Sequence, residues 1–263
     1  MDMTKENLYE LYIKQNKSQR EIAEIFGCKE GKIDYWTRKY GIAIKKSDPD
    51  SVFNLKNISR FDPIFCYYAG LVATDGYFDI KNNRVSLRVK NEGSYEVLNK
   101  INSYFEHIKP IQVYTSRGES KSNDLTLIGS VVPKELSCMG IFGYKYNRTF
   151  SLDWYNEAED CCKRMFLRGV LDGDGNIRKN GVFRLSMASF EFVENLIYVV
   201  NNILGTTYEM KYSSNSSKRK YPSIELHVAD SIRFCDFIYK GFCEYRFSDK
   251  YRRAELLIDK DIV

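Results

Sequence analysis

The 263 residues predict an α+β protein: two pseudo-symmetric αββαββα halves built on antiparallel sheets, preceded by a small all-α unit. Three observations carry this. Residues 4–44 show helical periodicity alone. Beyond them, four segments recur in the same order at spacings of 98 to 101 residues. Each copy alternates 3.6-residue and 2-residue hydrophobic patterns in one sequence of elements. The divisions expected are 1–44 for the helical unit, 45–61 for a linker, 62–152 for the first half and 153–263 for the second.

The first helix, Asn7–Lys14, places Leu8, Leu11 and Tyr12 on one face. Ser18 followed by Glu21 forms a capping-box signature for the next helix, whose buried face is Ile22, Ala23 and Phe26. Gly27 turns the chain into a third helix over Glu30–Tyr40, with Ile33 and Trp36 inward and Gly41 closing it. Lys29, Lys32, Arg38, Lys39, Lys45 and Lys46 outweigh Glu30 and Asp34 around this helix. Helix, glycine turn and basic third helix resemble the helix-turn-helix of DNA-binding proteins, which implies Lys32, Tyr35 and Arg38 as DNA contacts. Residues 45–61 mix charge, proline and serine without a period and read as a linker.

In the repeat, YAGLVATDG (Tyr68–Gly76) returns as LRGVLDGDG (Leu167–Gly175), and VSLRV (Val85–Val89) as FRLSM (Phe183–Met187). LTLIGS (Leu125–Ser130) returns as IELHVA (Ile224–Ala229), and GIFGYKY (Gly140–Tyr146) as GFCEYRF (Gly241–Phe247). Asp62-Pro63 opens the first repeated helix as a capping acid with proline at the first position. Val85, Leu87 and Val89 then face a core while Arg84, Ser86, Arg88 and Lys90 face outward. Tyr95–Phe105 is helical, Ile111–Ser116 and Leu125–Ser130 are strands, and Val132–Met139 is helical. The second copy points Arg184 and Ser186, then Glu209, Lys211 and Ser213, then Glu225 and His227 outward. The hairpin tips, SRGESKSND and SSNSSKRKY, carry Arg117, Lys121, Lys218, Arg219 and Lys220.

Hydrophobic residues at 43% and charged residues at 29% exclude a disordered chain. No apolar run approaches the roughly 20 residues of a membrane helix, and the opening MDMTKENLYE has no secretory pattern. Seven cysteines without a CxxC pair, two of them adjacent, point to a reduced, cytoplasmic-type protein lacking structural zinc. Histidine occurs twice, which argues against a histidine-based hydrolase. A net charge of +5 permits a polyanionic partner.

The two nonapeptides each share five of nine letters with the LAGLIDADG motif. From about Asp62 to Tyr251 the chain resembles a two-motif, single-chain LAGLIDADG homing endonuclease. Small residues Ala69, Gly70 and Ala73 in one helix, and Gly169 and Gly173 in the other, independently suit two helices packed closely. Each helix ends in Asp-Gly, which places Asp75 and Asp174 at the negative ends of helix dipoles and calls for a cation.

The resemblance implies a monomer with internal two-fold pseudosymmetry whose sheets form a saddle on double-stranded DNA. It implies hydrolysis of one phosphodiester per strand at a long target, with a staggered 3′-overhang cut. Asp75 and Asp174 would hold Mg²⁺ or another divalent ion such as Mn²⁺. Lys145 and Arg246 match the family's basic residue near each centre, and Asn91 and Ser189 would order solvent. Arg84, Arg88, Lys90, Arg178, Arg184 and Lys211 would reach bases or phosphates, and the hairpin-tip cations would grip the backbone. Asp172 has Ala73 in its place in the first copy, so it takes a capping or packing role. Two other activities occur on this fold: a non-cleaving transcription regulator, and an RNA maturase that would add intron RNA as a partner.

Overall fold

The chain divides into two units, Met1–Asp48 and Pro49–Val263. A computed structural model describes residues 3–15, 17–42, 55–90, 93–107, 109–115, 121–214, 220–241 and 244–259. The first unit holds three helical segments. Helix α1 (Lys5–Tyr9) runs on as a π-helical turn, Glu10–Lys14; α2 spans Gln19–Ile25 and α3 spans Glu30–Lys39. The capping box forms: Ser18 Oγ accepts from the Glu21 amide at 3.2 Å, and the Glu21 carboxylate accepts from the Ser18 amide at 2.7 Å. Gly27 and Gly41 take φ of +59° and +63° at the two helix exits, a region open to glycine at little cost. Leu8, Leu11, Tyr12, Ile22, Ala23, Ile33 and Ile42 form the core. Trp36 and Phe26, expected inside, are only partly buried, and Thr37 takes the inner place on α3 with its hydroxyl on the Asp34 carbonyl at 2.9 Å.

In the second unit, residues 45–54 of the expected linker lie outside the described residues. Residues 55–61 are docked rather than free. Leu55 and Ile58 pack on the core, and the Arg60 guanidinium pairs with Glu135 at 3.2 Å. Asp62 caps α4 (Pro63–Asp75), its Oδ1 accepting from the amides of Ile64 and Phe65 at 2.9 Å each. The order is then β1 (Gly76–Asp79), β2 (Arg84–Val89), α5 (Ser94–Tyr104), β3 (Gln112–Thr115), β4 (Lys121–Ile128) and α6 (Val131–Cys138). After α7 (Leu152–Glu157) the pattern returns as α8 (Asp160–Asp174), β5 (Gly175–Ile177), β6 (Phe183–Ser186), α9 (Phe190–Leu204), β7 (Lys211–Ser214), β8 (Lys220–Glu225) and α10 (Val228–Tyr239). Helix α11 (Ser248–Ile258) follows. The two four-stranded antiparallel sheets have matching orders, β1-β2-β4-β3 and β5-β6-β8-β7.

Two strands differ from expectation. β4 begins at Lys121, four residues before Leu125, because its polar start is satisfied across the sheet: Asp124 meets Arg88 at 3.0 Å, and Asn123 donates to Ser94 at 2.7 Å. Polarity there marks pairing, not a loop. β8 stops at Glu225, and His227, expected on the strand, becomes the N-cap of α10. The Ser231 hydroxyl anchors that corner by donating to the His227 carbonyl at 2.8 Å and accepting from the Phe183 amide at 2.9 Å. No helix among the described residues is long and apolar enough to cross a membrane.

Candidate active site

The site begins with glycine. A Cβ on Gly70 would overlap the carbonyl oxygen of Phe166, and one on Gly169 that of Tyr67, so α4 and α8 meet backbone to backbone. The approach continues to the helix ends, where a Cβ on Gly173 would strike the Thr74 side chain. Thr74 and Gly173 immediately precede Asp75 and Asp174, which therefore finish their helices at one level. Both helices exit alike, Gly76 at φ −73°, ψ 155° and Gly175 at φ −72°, ψ 151°, straight into β1 and β5. A side chain at either glycine would collide with its own helix, at Val72 or Leu171.

The two acids share one electrostatic environment. Burial, and then the charge of Asp174, push the Asp75 carboxyl above the ordinary range, while Lys145 and Lys250 pull it back. Lys145 crosses between the halves: its Nζ lies 2.9 Å from Asp174 Oδ2. Lys250 donates to the carbonyl of Gly175. Arg148 does the same in the first half, donating to the carbonyls of Val72 and Gly76 at 2.7 Å each. A cation thus caps the negative end of each helix. Burial lowers the Arg148 guanidinium to about 10 and the Lys250 ammonium below its usual value. The Arg246 guanidinium lies 3.2 Å from the centre of the Tyr251 ring.

Among the described residues no cluster of three or more His, Cys, Asp or Glu is assembled to hold a metal. Two half-buried carboxylates fit a hard cation of the Mg²⁺ type, which takes one or two protein carboxylates and fills its remaining positions with water and phosphate. Asp172 is no part of that set. It is fully buried and accepts from Tyr67 Oη at 2.8 Å, Tyr239 Oη at 2.9 Å and the Phe247 amide at 3.0 Å, the packing role expected of it.

Asp174 opens towards the outer face of the second sheet. A concavity of 270 Å³ is lined by Asp174, Asn176, Arg178, Arg184, Ser186, Ser213 and Tyr221. Strand alternation puts Arg84, Arg88 and Lys90 on the outer face of the first sheet, all exposed, and Arg178, Arg184 and Lys211 on that of the second. Arg88 pairs with Asp124 at 3.0 Å and covers the Tyr114 ring, and Arg178 pairs with Glu225 at 3.5 Å. Lys121 and Lys220 start β4 and β8 in register with the inward residues Leu125 and Ile224, so they leave the sheets at the strand ends, off the outer faces. Arg117, Lys218, Arg219 and Asn91 lie outside the described residues. Ser189 caps α9 by accepting from the Phe192 amide at 3.3 Å. In the first unit, Lys32, Tyr35 and Arg38 are exposed on α3, where Arg38 pairs with Asp34 at 3.1 Å.

No family model and no curated protein match the sequence. Solved structures do. The chain is similar to the homing endonuclease I-WcaI bound to its DNA recognition sequence, with a TM-score of 0.54 and 16% identity over 81% of this chain and 95% of that one. The chain has the LAGLIDADG fold. It is also similar to mesophilic variants of the homing endonuclease I-DmoI, with a TM-score of 0.50 and 16% identity over 71% of this chain and 94% of that one. An I-DmoI variant in complex with its target DNA in the presence of Mn aligns with a TM-score of 0.50 and 15% identity, covering 71% and 98% of the two chains.

Within the LAGLIDADG fold, the two motif helices are α4 and α8, with Asp75 and Asp174 as their last residues. Lys250 and Arg148 do not stand out in the repeat pattern. Arg148 aligns with Asp249 at the 101-residue offset that pairs Lys145 with Arg246, and one added residue moves the equivalent cation to Lys250. The signal available in the sequence was a second basic residue four positions beyond Arg246, on the first turn of a helix.

Proposed function

We propose that the chain is a site-specific DNA endonuclease that hydrolyses one phosphodiester in each strand of a long target and leaves 3′ overhangs. The observation that supports this best is the pair of acids, Asp75 and Asp174, at one level on glycine-locked helices with Lys145 between the halves. Asp75 and Asp174 would hold Mg²⁺ or Mn²⁺; the similar I-DmoI variant was prepared with its target DNA in the presence of Mn. When bound, such an ion supplies Lewis-acid activation of water and neutralises charge on the leaving oxygen.

The chain's own groups do the rest. Lys145, on a side chain 40% exposed, pairs with Asp174 at 2.9 Å and would donate a hydrogen bond to a phosphate oxygen. Lys250 and Arg148 fix the helix ends, so the carboxylates do not reorganise during the reaction. Lys145 and Arg246 would be the basic residue of each half, with Lys250 a further cation at the second centre. Arg84, Arg88, Lys90, Arg178, Arg184 and Lys211 carry base and phosphate contacts on the outer sheet faces, and Lys121 and Lys220 reach phosphates beyond the strand ends. The first unit acts as a helix-turn-helix, with Lys32, Tyr35 and Arg38 on DNA.

The test is incubation with the joined flanking DNA of its own gene and Mg²⁺, followed by sequencing of the ends. A staggered double-strand cut is expected, with no cutting in excess chelator. Asp75→Asn and Asp174→Asn should each lower the rate by about 100-fold or more while DNA binding persists. Normal cutting by both variants removes the assignment. Binding without cutting by the unaltered chain favours the non-cleaving regulator instead.

A further inference from the structure

The segments around Lys145 and Arg246 share an aromatic–cation–aromatic order, Tyr144-Lys145-Tyr146 and Tyr245-Arg246-Phe247, but the fold uses them in opposite ways. In the second half Tyr245 and Phe247 are buried. In the first half Tyr144 is 70% exposed and Tyr146 60% exposed. Their rings lie parallel within 5°, with centroids 5.6 Å apart. Gly143 makes the difference. It turns at φ +72°, a conformation that the equivalent Glu244 would adopt only with strain, and the chain then enters a 3₁₀ turn over Lys145–Asn147. Two large rings are therefore held largely in water.

These rings line a 640 Å³ cavity together with Tyr77 and Phe78, and Lys81, Lys145, Arg148 and the acid Asp79 share its wall. Tyr77 follows Asp75 by two residues and is itself 63% exposed. The cavity therefore combines flat apolar surface with three cations against one acid, and its Lys145 touches Asp174. Flat faces beside cations suit a nucleobase on a phosphate chain.

The geometry points to Tyr144 and Tyr146 as a stacking platform for one unstacked base of the DNA strand that passes the first half, a role the second half lacks. This rests on the DNA reading of the neighbouring centre. Stacked layers are about 3.4 Å apart, so a base between two rings needs about 6.8 Å. The tyrosine pair is too close for that, and the base caps the stack from outside. Bending a duplex partly unstacks its base steps, which frees a base face to meet such a ring.

The probe is fluorescein-labelled (dT)₁₂, followed by fluorescence anisotropy with the full chain in EDTA, so that no cleavage is involved. The variants are Tyr144→Ala/Tyr146→Ala and Tyr144→Phe/Tyr146→Phe, both at exposed positions. The alanine pair should bind about tenfold more weakly or worse. The phenylalanine pair should match the unaltered chain, and the slope of affinity against salt should be the same for all three, because every lysine is kept. Binding by the alanine pair within twofold of the unaltered chain overturns the platform, as does a loss accompanied by a changed salt slope. Tighter, tyrosine-dependent binding of (rU)₁₂ overturns DNA as the occupant. A chain that never cuts but shows the tenfold loss retains the platform, and one that cuts without the loss discards it.

Discussion

Asp172 accepts three hydrogen bonds in a fully buried position, and beside it the buried Arg168 guanidinium donates to the carbonyls of Ile238 at 2.9 Å and Gly241 at 2.8 Å. Burial pushes the Asp172 carboxyl up to about 6, against the opposing pull of the Phe247 amide, the two phenols and Arg168. Its amide partner Phe247 is the N-cap of α11, the helix that carries Lys250. Asp172→Ala would strand three donors and leave Arg168 without its charge partner, so a loss of about 3–5 kcal/mol is expected in urea unfolding. A loss below about 1 kcal/mol would mean that water replaces the carboxylate. The sequence hinted at this role through the mismatch of Asp172 with Ala73. The partners, up to 105 residues away, were not legible, since hydrogen bonds of such separation leave no local pattern.

The helix pair shows what periodicity reveals and what it hides. Small residues at Ala69, Gly70, Gly169 and Gly173 made a close crossing readable, and the cap at Asp62-Pro63 formed as expected. Outward and inward positions on β2 alternate as read, with Val85, Leu87 and Val89 buried. Strand ends were less legible: β4 and β8 start in polar runs whose partners sit on other strands. Lys250 escaped notice for a similar reason, because one extra residue between the repeats breaks a fixed-offset comparison yet leaves the three-dimensional equivalence of Arg148 and Lys250 intact. Gly70→Ala places a methyl group against the Phe166 backbone, which cannot rotate away as a side chain can. We expect a loss of about 1–3 kcal/mol, or more, in the free energy of unfolding measured in urea. Gly173→Ala meets only the Thr74 side chain and should cost less. Equal effects would mean that the helices slide apart freely.

Over the whole molecule, charge is spread along two sheets and a separate helical unit, with a net excess of only five positive charges. Binding to DNA then depends on local stripes of Arg and Lys. Affinity should drop about a thousandfold or more between roughly 50 and 200 mM salt, if six or more phosphates are engaged. Removing residues 1–44 should shorten the nuclease-protected footprint on one side and weaken binding while cutting continues. A footprint of unchanged length would take the first unit off the DNA.

Synthesis of this chain meets a difficulty set by α4. Every residue from Ile64 to Thr74 is buried, yet the helix that covers one side of it arrives with Gly169, 99 residues after Gly70. A ribosome adding about 5–20 residues per second leaves that greasy rod uncovered for several seconds. Prematurely terminated chains should therefore be sticky and insoluble, and a nascent molecule becomes safe only once its second motif has left the exit tunnel.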